Sequence, residues 1–333
     1  MNPHLYQQEY ATMPDPKPVF SIIMPAYNRA SLIESVTSAI FNQSYSDFEL
    51  IVVDDGSTDN TLEILDSIKD KRLRVIAKAN SRQTQSRRIA CEHAKGQYLA
   101  FCDSDDLWHQ DYLQTLLDVF EHQQAEYVFT NYIVTGEGRP RIDTSKDLVQ
   151  QWLADNSNLV SDSVYHFDDL YLALLDYQPI FTSCQALTAE HYRKIGGISE
   201  GINNIERNTV LTSEDSHIIR RSALTRQAYF VDRTLVTLGR QGDNMSHSFV
   251  SNLRGGRFIL EDILSNTKLS QQQYDKTKAE IASHTRQIAL QLYYQEDRKS
   301  FINFYKSSKK AELSWKSHLH FVRALWRNVV SVG

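Results

Sequence analysis

The sequence lacks the features of a membrane-spanning, disulfide-linked or nucleic-acid-binding protein. No apolar run reaches the roughly 18 residues that a transmembrane helix needs. The three cysteines are widely spaced and form no CxxC pair, and Cys91 and Cys102 lie in apolar surroundings, which predicts that these two are buried thiols in a reducing cytoplasm. The net charge is −5, so the chain as a whole has no basic excess that would favour nucleic acid as a partner.

Glycine is also missing from a place where many nucleotide-binding proteins require it. The turn after the first predicted strand reads PAYNRAS, which is neither GxGxxG nor a P-loop. This absence counts against a dehydrogenase, a P-loop enzyme and a nucleotidyltransferase with a glycine-rich loop. If the chain binds phosphates, we expect a metal ion to hold them in place of a glycine-rich loop.

The sequence does contain a regular alternation of short apolar runs and amphipathic stretches. The apolar runs predict strands at 19–24, 50–53, 72–80 and 98–102. Stretches with helical periodicity follow them at 32–43, 61–68, 82–94 and 107–122. Such βαβ units of about 25 to 30 residues predict an α/β fold with a parallel, doubly wound sheet.

Two of the predicted strands end in clustered carboxylates. Asp54 and Asp55 follow the second strand, and Asp103, Asp105 and Asp106 follow the fourth. Because the carboxyl ends of parallel strands meet at one edge, both clusters should line the same crevice. Like charges this close need a compensating cation, and Mg2+ or Mn2+ binds carboxylates together with substrate phosphates. A metal–diphosphate site is one interpretation; an Asp-rich turn or helix N-cap is the other.

Six motifs in order resemble those of the family 2 glycosyltransferases, which have the GT-A fold. They cover residues 19 to 250 and read SIIMPAYNRA, FNQSYSDFELIVVDDGSTDNT, AKGQYLAFCDSDDLW, HYRKIGGISE, SEDSHIIRRS and RQGDNMS. The resemblance implies a mostly parallel sheet flanked by helices. It also implies metal-dependent transfer of a sugar from a nucleotide-sugar, with inversion at the anomeric carbon.

The resemblance assigns the first two motifs to the nucleotide. Pro25, Ala26 and Tyr27 would line the base and ribose, with the Tyr27 ring stacked on the base. Asp55 would hydrogen-bond the base edge, with Asp54 as its neighbour or substitute. A carboxylate accepts a hydrogen bond from an imide N–H, so this arrangement favours uracil or thymine over adenine and predicts a UDP-sugar.

The third motif would hold the metal and the phosphates. Asp105, and less directly Asp103, match the D-x-D carboxylates that bind Mn2+ or Mg2+, and Ser104 would approach the ribose. Arg87 stands where the family usually has an arginine that balances phosphate charge. The neighbouring Arg88 could fill the same role.

The last two motifs would complete the catalytic machinery. By resemblance, Asp215 in the Glu214–Asp215 pair is the general base that deprotonates the acceptor. Arg240 would clamp the diphosphate. The chain departs from the family here, because the usual R-x-H is replaced by RQG and the histidine metal ligand is missing. His247 is a weak substitute for it.

The motif pattern predicts three regions along the chain. We expect a loose leader at 1–18, a GT-A domain at 19–252 and a helical region at 253–333. Within the domain, residues 19–130 would bind the nucleotide-sugar and residues 131–252 the acceptor. The acceptor would be a glycan or a lipid-linked sugar of a bacterial surface polysaccharide. A nucleotide-sugar hydrolase and a catalytically silent scaffold for another transferase are the alternatives.

The end of the chain is basic and amphipathic. Between 298 and 333 there are eight Lys or Arg residues and one Glu. One apolar helix face is predicted there, formed by Trp315, Leu319, Val322, Trp326 and Val329. This face would contact an anionic membrane surface, or it would pack on the catalytic domain or on a second copy in a homo-oligomer.

Overall fold

A computed structural model of the chain describes most of its residues. The described ranges are 6–7, 17–137, 140–142, 146–198, 214–239, 249–295 and 298–330, with backbone alone at 6–7, 214, 298 and 325–330. The chain divides into two compact units. The first, called the sheet unit below, comprises Met1–Asn203 and Ile218–Gly242; the second, the helical unit, comprises Asn204–His217 and Asp243–Gly333. The three predicted regions have different limits and stay a prediction.

Among the described residues, eleven strands form one sheet, and all of them belong to the sheet unit. They are β1 (Tyr6–Gln7), β2 (Phe20–Ala26), β3 (Phe48–Asp54), β4 (Leu73–Ala77), β5 (Tyr98–Phe101), β6 (Leu107–Trp108), β7 (Tyr127–Val134), β8 (Ser157–Ser161), β9 (Val164–Phe167), β10 (Gln185–Thr188) and β11 (Ala228–Leu238). The strand order is β1-β4-β3-β2-β5-β10-β7-β11-β9-β8, and β6 pairs with β11.

The described helices lie in both units. They are α1 (Ile33–Phe41), α2 (Thr61–Ser67), α3 (Gln83–His93), α4 (Tyr112–Gln123), α5 (Asp147–Asn156), α6 (Leu170–Asp176), α7 (Ala189–Lys194), α8 (Glu214–Ser222), α9 (Phe249–Asn266), α10 (Gln271–Tyr294), α11 (Arg298–Ser307) and α12 (Trp315–Val330). Helices α9 to α12 belong to the helical unit, so the prediction of a helical C-terminal region is confirmed.

The four predicted strands form the parallel part of the sheet. β2 pairs in parallel with β3 and with β5, and β3 pairs in parallel with β4. All seven residues of β2 are buried, as expected for a strand inside a parallel sheet. Its Phe20 and Ile22 share one apolar core with Ile33, Val36 and Ile40 of α1. Each such side chain contributes roughly 1.5–3 kcal/mol of burial free energy, so helix and strand stabilise each other.

The other half of the sheet is mixed, which the sequence did not indicate. β10 pairs antiparallel with β5 and with β7, whereas β7 and β11 are parallel. The polar region after residue 130 contains the hairpin of β8 and β9 in addition to helices α5 and α6. The predicted helix at 107–122 begins only at Tyr112. Leu107–Trp108 instead pairs with Val236–Thr237 of β11.

The sequence also led to expectations about the cysteines and about membrane-spanning helices. Cys91 and Cys102 are buried free thiols, as predicted, and Cys184 is a buried free thiol as well. Within the described ranges, no helix has the length and apolar character required to span a bilayer.

His191 in α7 makes the stability of the sheet unit depend on pH. It is fully buried, and its Nε2 donates to the Ser222 carbonyl at 2.8 Å. Burial lowers the pKa of His191, and the positive charge of Lys194 lowers it further. The hydrogen bond to Ser222 and the charge of Glu126, which lies 3.8 Å from Nδ1, raise the pKa, but the effect of burial is larger than theirs. Below the ordinary histidine pKa of about 6.5, the unfolded chain therefore binds more protons than the native chain.

We expect His191→Gln to weaken the loss of stability in acid. Glutamine can still donate to Ser222 but does not titrate, so up to about 1.4 kcal/mol per pH unit of the slope should disappear below about pH 6.5. The free energy of unfolding by urea, measured from about pH 7.5 to 5.5, tests this. His122→Gln, at an exposed position on α4, is the control and should keep the wild-type slope. Parallel slopes for wild type and His191→Gln would contradict the assignment.

Candidate active site

Four loops meet at the carboxyl edge of the parallel strands. They follow β2 (27–32), β3 (55–60), β4 (78–82) and β5 (102–106). Because β4, β3, β2 and β5 are neighbours in register, the loops that follow them are neighbours too. The predicted nucleotide, metal and phosphate residues before position 110 therefore lie together, as open α/β sheets arrange their ligand sites.

The loop after β2 is held by the loop after β3. Asn28 has a positive φ of 51°, and its Oδ1 accepts from the Thr58 N–H at 2.8 Å. The Asn28 N–H donates to Ser57 Oγ at 2.9 Å, and Ser57 in turn donates to the Asp54 carboxylate. Asp54 is thus buried and engaged in holding the turn, while the Tyr27 ring stays 43% exposed at its edge. An exposed ring in a fixed loop is a surface on which a base could stack.

Asp55, the first residue of the loop after β3, is buried and forms hydrogen bonds and an ion pair with neighbouring loops. Its N–H donates to the Ala26 carbonyl at 2.8 Å, and its Oδ1 accepts from the Ser81 N–H at 2.8 Å. Lys78 forms an ion pair with the same oxygen. Oδ2 makes no hydrogen bond with the part of the chain that the structure describes, so one acceptor remains for a ligand.

Gly56 allows this loop to approach the next one. Its φ is +74°, and a Cβ there would lie 2.8 Å from the backbone nitrogen of Asn80. Only glycine adopts this conformation and this approach without strain.

Asp103 is fixed by a buried arginine. Arg87 Nη2 lies 2.5 Å from Asp103 Oδ1, and Gln83 donates to the same oxygen at 3.3 Å. Arg88, the other candidate, points to Glu92 in the next turn of α3, at 2.9 Å. The structure therefore brings Arg87, and not Arg88, to the carboxylates.

Asp105 faces an arginine that the sequence did not single out. Arg29 Nη2 lies 3.4 Å from Asp105 Oδ2, and both side chains are partly exposed. Arg29 Nε is buried and has no hydrogen-bond partner among the described residues. A guanidinium with a spare donor beside the site suits an anionic ligand. In the sequence, the only indication that Arg29 belongs to the site is its place in the loop after the first predicted strand. Ser104, between the two aspartates, is buried.

Asp106 has a different environment from the two aspartates before it. It is buried, its Oδ1 accepts from the Gly239 N–H at 2.9 Å, and its Oδ2 bonds Ser183 Oγ. Ser183 Oγ also accepts from the Asp103 N–H at 2.9 Å. Burial, and then the charge of Asp103, raise the pKa of Asp106 well above its usual range. Asp106 ties the D-x-D loop to the end of β11 and is a positioning residue.

We expect Asp106→Ala to destabilise the protein by about 2–4 kcal/mol, because the Gly239 N–H and the Ser183 hydroxyl would both lose a buried partner. Asp106→Asn keeps an acceptor for the Gly239 N–H and places an amide N–H beside Ser183 Oγ, which can accept it, so this variant should cost less than half as much. Urea unfolding of the two variants measures the difference. Equal losses of stability would show that the two hydrogen bonds are not the cause.

The donor set at this edge fits a hard divalent ion. Asp103 and Asp105 offer carboxylate oxygens that are partly exposed, and Mg2+ or Mn2+ commonly takes one or two carboxylates with waters and phosphates as remaining ligands. No group of three His, Cys, Asp or Glu side chains that could hold a metal ion occurs among the described residues. The residues present therefore suit an ion shared with a phosphate ligand rather than a closed protein cage.

The positions of Asp215 and Arg240 relative to this cluster are not described. Asp215 is partly buried in the first turn of α8, where a helix start was expected. It falls in the helical unit, and its role stays a prediction. Arg240, like His247, lies outside the described residues. The chain just before Arg240 is close to the loop that carries Asp105, because a Cβ on Gly239 would overlap the carbonyl oxygen of Asp105.

Solved structures and curated relatives resemble this chain. The structure of S. aureus TarS 1-349 with UDP-GlcNAc superposes with a TM-score of 0.63 at 20% identity, covering 86% of this chain and 79% of that TarS 1-349 chain. A putative teichuronic acid biosynthesis glycosyltransferase, TuaG of Bacillus subtilis, is 38% identical over 128 residues, 37% of this chain and 51% of TuaG. WfaP of Escherichia coli, a UDP-Glc:alpha-D-GlcNAc-diphosphoundecaprenol beta-1,3-glucosyltransferase, is 34% identical over 34% of this chain and 46% of WfaP.

These matches confirm the predicted fold class. The chain spans about half the length of these two curated relatives. The model of glycosyl transferase family 2 matches residues 21–226, more than half of the chain. The chain therefore belongs to glycosyl transferase family 2.

Proposed function

We propose that this protein transfers a sugar from a UDP-sugar to a hydroxyl of a glycan or lipid-linked acceptor in the synthesis of a cell-surface polysaccharide. The observation that carries the proposal is the cluster at the carboxyl edge, where Tyr27, Asp55, Asp103 and Asp105 come from neighbouring loops and Arg87 reaches Asp103 from helix α3. A stacking ring, a base-edge acceptor, cations and metal carboxylates are the parts that a nucleoside diphosphate requires.

The base would lie on Tyr27 and against Asp55. Pro25 and Ala26 are buried at the end of β2, so they would form the floor beneath the nucleoside. Asp55 Oδ2 would accept from the imide N–H of uracil, a donor that adenine and cytosine lack. UDP-GlcNAc in the TarS complex and UDP-Glc in the name of WfaP support a uridine nucleotide for this chain.

The diphosphate would lie between the carboxylates and the arginines. Asp105 and Asp103 would hold Mn2+ or Mg2+, which when bound neutralises charge on the leaving diphosphate. Arg29 and Arg87 stand beside these carboxylates and supply fixed positive charge. Ser104 would contact the ribose, and Arg240 would clamp the diphosphate from the other side.

Asp215 would act as general base. Its carboxylate takes the proton of the acceptor hydroxyl while that oxygen attacks the anomeric carbon, and the bond from that carbon to the diphosphate oxygen breaks. Attack from the opposite face inverts the configuration.

Residues 19–130 would bind the donor, and residues 131–252 would bind the acceptor. Three free thiols support a cytoplasmic location.

Thermal shift with UDP, GDP, CMP and dTDP, each with and without Mn2+, tests the donor class. A nucleotide that binds the native state raises the melting temperature by mass action. We expect a Mn2+-dependent shift with UDP, a smaller one with dTDP, and none with GDP or CMP. A dominant GDP shift would reject the uridine donor, and no shift with any nucleotide would favour the scaffold alternative.

A further inference from the structure

Helix α12 leaves three large apolar side chains exposed, whereas its Phe321 and Ala324 pack into the apolar cluster of the helical unit. Trp315, Leu319 and Val322 are 70%, 40% and 61% exposed. The side that packs inward carries Ser317 and Ala324, both buried. These three residues of the predicted apolar face therefore do not pack against the rest of the chain. We call them the outer stripe.

Basic side chains border the outer stripe. At about 100° per residue, the three stripe residues fall within an arc of about 60°, and Lys316 and Arg323 follow about 40–60° further round the helix. Both basic residues are exposed. Lys316 Nζ lies 5.9 Å from the centre of the Trp315 ring, so charge and apolar surface are contiguous.

The one acid in this segment of the sequence does not lie among its exposed basic residues. Glu312, the single acid between 298 and 333, is largely buried. Its Oε2 accepts from Thr285 at 3.0 Å and lies 3.6 Å from Arg257 Nη2. Lys309 and Lys310, just before α12, are both exposed. Eight Lys or Arg residues against one Glu leave this segment strongly positive in a chain of net charge −5.

We propose that the outer stripe docks on an anionic lipid surface. Trp315, Leu319 and Val322 enter the boundary between head groups and acyl chains, and Lys316 and Arg323 bind lipid phosphates. A helix with tryptophan and aliphatic residues beside a basic border is the pattern of a helix that lies in the membrane interface. Tryptophan suits that depth because its ring is apolar and its N–H is polar.

Charge distinguishes a lipid surface from a second copy of the chain. A two-fold interface would bring the same patch of both subunits together, so Lys316 and Arg323 would face like charges. Lysine is also depleted at the centres of protein interfaces. An anionic bilayer instead offers charge of the opposite sign to the whole border.

Vesicle sedimentation of the full chain tests the proposal. Vesicles of phosphatidylcholine with about one third phosphatidylglycerol should pellet the protein, and pure phosphatidylcholine should pellet at least about tenfold less. Leu319→Glu, and separately the pair Lys316→Glu with Arg323→Glu, should each lower binding at least about tenfold. Leu148→Glu is the matched control, since Leu148 is 86% exposed on α5 beside Asp147 and should not alter binding.

Circular dichroism and the melting temperature show whether each variant is folded, and all substituted side chains are exposed. Equal pelleting with both vesicle types, or wild-type binding by Leu319→Glu, overturns the proposal. A solution dimer that Leu319→Glu dissociates, without any vesicle binding by the wild type, assigns the stripe to a second copy instead. The stripe takes no part in the proposed transfer chemistry, so either result leaves the donor tests unaffected.

Discussion

Asp105→Asn should abolish sugar transfer while leaving the protein folded. The substitution keeps the size of the side chain but removes the charge that would bind the metal. Loss of the ion leaves the departing diphosphate without its main compensating charge, so we expect the turnover rate to fall at least about a hundredfold. UDP release from UDP-glucose and UDP-GlcNAc, with Mn2+ present, measures the change.

Binding and stability separate this effect from misfolding. The Mn2+-dependent thermal shift with UDP should disappear in Asp105→Asn. The melting temperature without ligand should change little, because partly exposed ion pairs such as Asp105–Arg29 contribute about 0–1 kcal/mol. Asp118→Asn, an exposed aspartate on α4 that accepts from Gln114 at 2.8 Å, serves as control. If Asp105→Asn retained the UDP shift with Mn2+, Asp105 would not be a metal ligand.

Asp215→Asn should abolish transfer without impairing donor binding. Removing a general base slows proton transfer from the acceptor by about 10²- to 10⁴-fold. Since Asp215 would touch the acceptor and not the nucleotide, the UDP shift with Mn2+ should equal that of the wild type. Rapid-quench measurement of UDP formation separates the chemical step from binding.

Loss of transfer together with unchanged UDP binding in Asp215→Asn would identify Asp215 as the general base. Asp275→Asn, at an exposed position near the start of α10, is the control for removing a carboxylate near a helix start. Asp215→Glu should recover part of the rate, because it restores the carboxylate with one extra methylene. A rate within about threefold of the wild type for Asp215→Asn would show that another group takes the proton.

Much of the sheet unit could be predicted because its signals are local. Apolar runs of four to six residues predicted β2, β3 and β5, and helical periodicity predicted α1 and α3. Paired aspartates at the ends of two strands predicted a shared crevice, since parallel topology brings those ends together. Asp103, Asp105 and Asp55 could be found in this way without coordinates.

The partners of those carboxylates could not be predicted, because the contacts join residues far apart in sequence. Arg29 and Asp105 are 76 positions apart, and Ser183 and Asp106 are 77 apart. No periodicity links such positions. Asp106 illustrates the limit well: three nearby aspartates look alike in the sequence, and only packing buries one of them.

The sequence by itself determined the family, the order of strands and helices in the first half, and the residues that would bind a nucleotide and a metal. Hydrophobic periodicity and motif order are properties of the chain alone. The tertiary structure decided which arginine meets which carboxylate, that Leu107–Trp108 is a strand, and that Trp315, Leu319 and Val322 of α12 are exposed. These outcomes depend on packing between distant segments, where burial and ion pairing are set by neighbours that no local pattern identifies.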